Sequence, residues 1–393
     1  MAYYTELTPE QLDRVFVFAP ELRMLRKQRT AVSQMLAVPL QAAPSLTDGI
    51  LDLRQADNAE AAVAAYEKFA SDREPYAALI ADDLALAFGA DREEALRAAD
   101  CLNGELDTVE PAAAAPEFAP SVYRRVAFVT GAAQGLGEGI AEYLASQGTY
   151  LMIADLNEEG AIDTANNINA KYGEGHAAAV KINVADEEDV QRALKATVAE
   201  FGGIDILISN AGVLRAGSLD ELSYKDFQFV TSINYNAYFL MAKYTSKIMK
   251  RQHAVRPEYL MDIIQINSKS GLEGSNKNSA YAGGKFGGIG LTQSFALELA
   301  PFNIKVNAVC PGNNLDGPLW TDPERGLFVQ YLHAGKVPGA KTTEDVRRHY
   351  MAKVPMNRGC FPEDLGITVK YIVEQKYETG QALPVTGGQV MLN

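Results

Sequence analysis

From Tyr123 onward the chain alternates between two textures. Short runs dense in Val, Ile and Ala (VAFVT, YLMIAD, IDILIS, DIIQI, IKVNAV) are separated by longer stretches whose apolar positions recur every three or four residues. The first kind reads as strands buried on both faces, the second as amphipathic helices. HAAAVKINV adds a further strand, and Asp186-Glu187 opens the helix after it. Strand and helix units alternating at this length predict an α/β fold with a doubly wound parallel sheet, and ligands at the carboxyl ends of the strands.

The first 120 residues have another pattern. Thr8-Pro9-Glu10-Gln11 reads as a helix start, with a Thr cap, Pro at the first helical position and Gln three after the cap. Asp57-Asn58-Ala59-Glu60 and Asp91-Arg92-Glu93-Glu94 repeat that signal ahead of Ala/Leu-rich stretches, the second closed by Gly104. Leu22–Val38 and Tyr76–Phe88 are helical in pattern too. The reading is a small all-helical N-terminal domain of about five helices over residues 1–110, irregular near Pro39–Asp52. A Pro/Ala-rich linker at 111–120 follows, and the main domain spans 121–393. The N-terminal part is expected to be a structural, oligomerisation or regulatory appendage.

Totals narrow the function. No apolar run reaches the roughly 18 residues needed to span a bilayer, and the N-terminus lacks a basic segment followed by an apolar one, so no membrane association and no secretory signal are expected. The cysteines Cys101, Cys310 and Cys360 are scattered, without disulfide or metal-ligand spacing, which suits the cytoplasm and predicts no metal. A net charge of −14 argues against a nucleic-acid partner. That charge is uneven: residues 1–120 carry 21 Asp/Glu against 10 Lys/Arg, the remainder 29 against 26. An anionic substrate is therefore not strongly repelled by the main domain.

Candidate chemistry begins at Thr130-Gly131-Ala132-Ala133-Gln134-Gly135-Leu136-Gly137. The turn follows an apolar strand and opens a helix. Gly131 permits the tight turn, Gly135 lets the backbone approach a pyrophosphate, and Gly137 allows close helix–strand packing, as in a Rossmann-type fold. Asp155, 18 residues after Gly137, ends the next strand. An acid there hydrogen-bonds the adenosine ribose and repels a 2′-phosphate, favouring NAD over NADP.

Between a strand at Ile263–Ile266 and a Gly-rich helix lie Ser268, Tyr281 and Lys285. Tyr281 and Lys285 are four apart and share a helix face. An ammonium beside a phenol favours phenolate, which predicts a lowered Tyr281 pKa. A Ser hydroxyl can hold the oxygen of a carbonyl or alcohol. Beside a hydride carrier these groups make a proton-transfer site for alcohol and ketone chemistry. Asn234 lies on an otherwise apolar helix, where it either serves the site or caps a neighbouring element.

TGAAQGLG, NAG, Asn234, Ser268, YAGGK and VNAVCPG, in this order over residues 123–393, resemble the short-chain dehydrogenase/reductase family. The resemblance implies that Asn234, Ser268, Tyr281 and Lys285 are the catalytic tetrad; Ser268 rather than Ser270 stands at the family spacing from Tyr281. It implies cofactor contacts at Gly131, Gln134, Gly135, Leu136, Gly137 and Asp155, at Asn183-Val184 beside the adenine, at Asn210-Ala211-Gly212, at Tyr281 and Lys285, and at Pro311-Gly312. The family has a Thr after that Pro-Gly turn; Asp316 stands at its spacing here. Family members are commonly dimers or tetramers, so a homo-oligomer is expected.

IIQINSKSG, GSNKNSAYAGGKFGGIGLTQS, KVPMNRGC and TGQALPVTGGQVM are similar to a branch of that family that oxidises sorbitol 6-phosphate to fructose 6-phosphate with NAD. They imply a polyol or sugar phosphate as the small-molecule substrate. The segment Asn313–Val354 is expected to form a lid, with Lys269, Lys277, Lys353 or Arg358 contacting a phosphate. The alternatives are dehydrogenation of another sugar, polyol or hydroxy acid, and a non-catalytic NAD-binding regulator.

Overall fold

A computed structural model describes residues 2–25, 34–41, 43–44, 46, 49–71, 74–111, 115–116 and 118–391. The N-terminal part holds α1 (Pro9–Leu25), β1 (Gln34–Pro39), β2 (Ile50–Asp52), α2 (Ala59–Ala70), β3 (Ala77–Ala81), β4 (Leu84–Gly89) and α3 (Arg92–Leu102). The main part runs β5 (Val126–Thr130), α4 (Gly135–Ser146), β6 (Tyr150–Asp155), α5 (Glu158–Tyr172), β7 (Ala177–Lys181), α6 (Glu187–Phe201) and β8 (Ile206–Ser209). It continues through α7 (Tyr224–Thr231), α8 (Ala237–Val255), β9 (Met261–Ile266), α9 (Ser279–Leu299) and β10 (Ile304–Pro311). The helices α10 (Pro318–Thr321), α11 (Leu327–His333), α12 (Thr343–Met351) and α13 (Pro362–Glu374) lead to β11 (Ala382–Val385).

The main sheet has the order β11-β10-β9-β8-β5-β6-β7, and every pair in it is parallel. Its central strands β5, β8, β9 and β10 are buried along their whole length, as helices on both faces require. Alternate strand residues feed opposite cores. Val129, Ile153, Ile208 and Ile266 pack with α4, α5 and α13. Phe128, Met152, Leu207 and Ile263 pack with α6 and α8. Strand order reverses between β5 and β8, so a crevice opens at their carboxyl ends, where such sheets take ligands.

The all-helical expectation for the N-terminal part is overturned: a four-stranded sheet, order β1-β4-β3-β2, stands where half of it was read as helix. Tyr76–Phe88 is a β3–β4 hairpin turned at Asp82-Asp83, and Gln34–Pro39 pairs antiparallel with β4. Residues 26–33 of the stretch read as one helix, with parts of 39–52 and of the 111–120 linker, lie outside the described residues. The physical reason is burial on both faces. Leu36, Val38, Leu79, Ala85 and Ala87 face α3, while Met35, Ala37, Ile80, Leu86 and Phe88 face the opposite way. A run apolar at every position has no period to separate strand from helix, and strand pairing outweighs the helix preference of Ala and Leu. The cap signals did mark three helices. Thr8 and Gln11 bond reciprocally at 2.9 and 3.2 Å, Asn58 rather than Asp57 caps α2, and Asp91 caps α3.

This unit shares its core with the main sheet. Val15, Phe18 and Leu22 of α1 and Phe88 of β4 belong to one apolar cluster with Val198, Phe201 and Met249 of α6 and α8. Buried ion pairs fix the docking. Arg23 meets Asp205 at 2.6 Å with both side chains fully buried, Arg92 meets Glu200, and Arg124 meets Asp91 at 2.7 Å.

Candidate active site

The glycine turn leaves β5 at Thr130. Gly131 and Gly135 both have φ of +65°, a left-handed backbone that favours Gly. A Cβ on Gly137 would lie 2.2 Å from the Gly131 carbonyl oxygen, so only Gly lets α4 start this close to the strand. The turn is wired to the end of β8: Asn210 Nδ2 donates to the carbonyls of Thr130 (2.9 Å) and Gly131 (3.0 Å), and Thr130 Oγ1 accepts from the amides of Asn210 and Ala211. Asp155, at the end of β6, accepts from Ala133 N (3.0 Å) and Asn157 N (2.9 Å). Gln134 caps α4 without a side-chain hydrogen bond, and Leu136 packs partly buried against the core cluster shared by α4, α5 and α13. A tight glycine turn at a helix N-terminus, with a carboxylate one strand over, fits the pyrophosphate and ribose of a dinucleotide.

Asn183 Oδ1 accepts from Ala185 N at 3.1 Å, shaping the turn after β7, and Val184 is buried there. Pro311 ends β10, and Gly312 donates its amide to Val385 O at 2.9 Å. Asp316, at the spacing of the family Thr, is ion-paired with Arg347 of α12.

The proton-transfer groups meet at the carboxyl end of β9. Ser268 caps a short 3-10 turn, Lys269–Gly271; its Oγ accepts from Ser270 N at 3.1 Å, and its hydroxyl lies close enough to Tyr281 to draw the phenol pKa down. Ser270 is buried in that turn. Lys285 is 4% exposed and donates to Ile266 O at 2.8 Å. Asn267, which the sequence reading passed over, locks strand to helix: its Nδ2 donates to Lys285 O (2.9 Å) and Gln265 Oε1 (2.8 Å), and its Oδ1 accepts from Ser268 N (2.8 Å). Polar residues within an otherwise apolar strand run were its visible signal.

Asn234 lies in one turn of π-helix, Ser232–Asn236, between α7 and α8. Its amide bonds both backbone groups of Val213, at 2.9 and 2.7 Å. A Cβ on Gly212 would stand 3.3 Å from Asn234 Oδ1 and 3.9 Å from Lys285 Nζ. Gly212 thus borders both groups, with room to spare only on the Lys285 side; the π-turn had no sequence signal.

One electrostatic expectation is corrected. The Tyr281 phenol is raised, not lowered: burial pushes it up, and the Ser268 hydroxyl pulls only partly back. Lys285 stands 5.7 Å from the Tyr281 ring centre and is itself lowered by burial to about 8. Desolvation is the larger effect on both groups.

Asn313–Val354 folds as three short helices over the site. Trp320 packs on Phe328, Tyr331 and Tyr350 at centroid distances of 5.1, 5.6 and 5.0 Å, and Tyr281 packs against this cluster. Of the four cations expected near a phosphate, Lys269 pairs with Glu273 at 3.3 Å, and Lys353 lies 5.2 Å from the Tyr350 ring centre. Lys277 donates to Ala334 O. Arg358 is committed to Asp364 at 2.6 Å, at the start of α13. Among the described residues no three His, Cys, Asp or Glu group to hold a metal, and no helix is long and apolar enough to cross a membrane.

A nucleotide-binding crevice beside a Ser–Tyr–Lys group, with Ser268 and Lys285 buried and Tyr281 half-buried, defines an oxidoreductase that acts on CH–OH groups with a nicotinamide cofactor. The chain belongs to the short-chain dehydrogenase family, whose model matches residues 125–319. It is 37% identical to sorbitol-6-phosphate 2-dehydrogenase of Escherichia coli, over 68% of this chain and 99% of that one. The crystal structure of sorbitol-6-phosphate 2-dehydrogenase SrlD from Erwinia amylovora superposes with a TM-score of 0.62 at 39% identity, covering 68% of this chain and all of that one. A 3-oxoacyl-[acyl-carrier-protein] reductase of Aquifex aeolicus is 32% identical over 67% of this chain and 96% of that one. The family match starts at residue 125, so the N-terminal sheet lies outside it.

Proposed function

We propose that the protein oxidises the 2-hydroxyl of sorbitol 6-phosphate to fructose 6-phosphate with NAD, or runs the reverse reduction. The observation that carries this reading is the convergence of Ser268, Tyr281 and Lys285 under a lid whose lysines face the same aromatic cluster. Similarity to two sorbitol-6-phosphate 2-dehydrogenases, over their whole length and 68% of this chain, supports the substrate. The Asp155 carboxylate at the end of β6 supports NAD over NADP, since it would repel a 2′-phosphate.

In the oxidation, Ser268 Oγ orients the reacting hydroxyl and Tyr281, as phenolate, takes its proton. A nicotinamide held in the crevice would supply the acceptor for the hydride that leaves the carbinol carbon. Lys285 supplies positive charge to the Tyr281 phenolate and would hold the cofactor ribose. Asn234 holds the turn at Val213 and the neighbourhood of Lys285, through which the proton leaves. The glycine turn, Asn183-Val184, Asn210–Gly212 and Pro311-Gly312 position the dinucleotide. In the reduction Tyr281 returns its proton to the carbonyl oxygen.

NADH formation on a panel of polyols and their phosphates tests the assignment. Equal kcat/KM on sorbitol and sorbitol 6-phosphate would dismiss the phosphate from it.

A further inference from the structure

We propose that Lys336, flanked by Lys269 and Lys353, receives the substrate phosphate and sets the preference for a phosphorylated polyol over its unphosphorylated parent. The inference rests on the polyol-phosphate reading and adds the residue that recognises the phosphate.

The three lysines come from three separate segments. Lys269 follows β9, Lys336 lies between α11 and α12, and Lys353 follows α12. The Lys336 ammonium stands 4.1 Å from the Tyr331 ring centre and Lys353 stands 5.2 Å from that of Tyr350; the two rings are 5.4 Å apart. Both cations therefore flank one aromatic pair, in the cluster against which Tyr281 packs. The loop just ahead of Tyr281 holds Lys336 in place. Its ammonium donates to Ser275 Oγ at 3.3 Å, and with the Asn278 amide oxygen turned toward it, to Asn278 at 2.7 Å. Asn278 is the residue that precedes α9, so the cation is tied to the helix that carries the proton-transfer group.

This charge has no protein counter-ion. Among the described residues neither Lys336 nor Lys353 forms an ion pair, and the one carboxylate near the group, Glu273, is held by Lys269. Burial, and then repulsion from Lys269 and Lys353, lower Lys336 to about 7. Holding the half-buried Lys336 ammonium beside two further cations, with Glu273 taken up by Lys269, costs stability, and an incoming dianion would offset that cost. Phosphate suits the arrangement, because lysines act on it as point charges from several directions. Lys277 and Arg358 do other work: the first latches the Lys336 loop through Ala334, the second caps α13 through Asp364.

The test compares kcat/KM for sorbitol 6-phosphate and for sorbitol in the wild type, in Lys336→Met and in Lys336→Arg. Losing one charge-assisted contact to phosphate lowers the ratio between the two substrates by about 10- to 100-fold, mainly through KM of the phosphate ester. Lys336→Arg restores part of it. On the wild type, inorganic phosphate competes with sorbitol 6-phosphate, a measurement that does not depend on any variant folding. An unchanged ratio in a folded Lys336→Met, or no competition by phosphate, overturns the assignment. A wild type with no preference for the phosphate ester overturns the polyol-phosphate reading with it. A wild-type preference that Lys336→Met retains overturns the lysine assignment alone.

Discussion

Lys285 and Tyr281 share a face of α9, with the ammonium 5.7 Å from the phenol ring centre and donating to Ile266 O at 2.8 Å. The pair is thus preassembled, and burial acts on both members: the phenol is pushed up and keeps its proton at neutral pH, while the ammonium is pushed down to about 8 and still carries most of its charge there.

A pH dependence follows. A raised phenol keeps its proton at neutral pH, so the phenolate needed for alcohol oxidation accumulates only as pH rises. kcat/KM for oxidation should therefore climb through the alkaline range. Ketone reduction, which uses the phenol proton, should hold at neutral pH and fall as the pH becomes alkaline. Rate profiles in both directions check this, and matching profiles would contradict the assignment of Tyr281 as the group that exchanges the proton.

Asp155 ends β6 beside the glycine turn. Asp155→Asn removes its charge while keeping an oxygen for Ala133 N. The expected outcome is a rise of about 10-fold or more in the NADP-to-NAD ratio of kcat/KM. An unaltered ratio would move cofactor discrimination to another residue.

Arg23 and Asp205 are fully buried and bonded at 2.6 and 3.0 Å, and Asp205 also accepts from Val126 N at 2.8 Å. Arg23→Met leaves that carboxylate uncompensated at the junction of the N-terminal unit and the main sheet. A loss of about 3–5 kcal/mol in urea unfolding is expected. Arg23→Met combined with Asp205→Asn should recover part of it. A loss under about 1 kcal/mol would show that the pair does not hold the junction.

Lys336 near pH 7 gives a calorimetric signature. Bound phosphate would raise its pKa toward the ordinary lysine range, so binding above pH 7 should take up a proton. Tyr331, which faces it, and the adjacent Tyr350 are raised by burial and stay neutral there. Binding enthalpies of sorbitol 6-phosphate at pH 8, compared across buffers of different ionisation heat, report the uptake. Its persistence in Lys336→Met would assign the proton elsewhere.

Much of the main domain was legible because its strands are buried on both faces and its glycines are forced by contact. VAFVT, ILIS and IKVNAV are short β-branched runs set between helix-period stretches, the texture of central strands, and Gly137 is fixed by the Gly131 carbonyl. The N-terminal part misled the same reasoning. AALIADDLALAF is apolar on both faces of a hairpin, and Ala and Leu suggested helix where pairing with β1 and β2 decided otherwise. The docking arginines Arg23 and Arg92 were hidden too, since a buried ion pair has no local pattern. Within the site, Tyr281 and Lys285 were visible from their spacing. Their pKa directions were not, because desolvation depends on the lid and on α9 packing against β10. Lys336 escaped for a similar reason: it reaches the loop before α9 only through the fold of the lid.

The most direct test is NADH formation from NAD and sorbitol 6-phosphate by the wild type and by Tyr281→Phe, with NADH binding followed by fluorescence in both. The account predicts turnover by the wild type with kcat/KM well above that for sorbitol. It predicts a loss of about 1,000-fold or more in Tyr281→Phe, with NADH binding retained. No NADH from sorbitol 6-phosphate, or near-normal turnover by Tyr281→Phe, would contradict it.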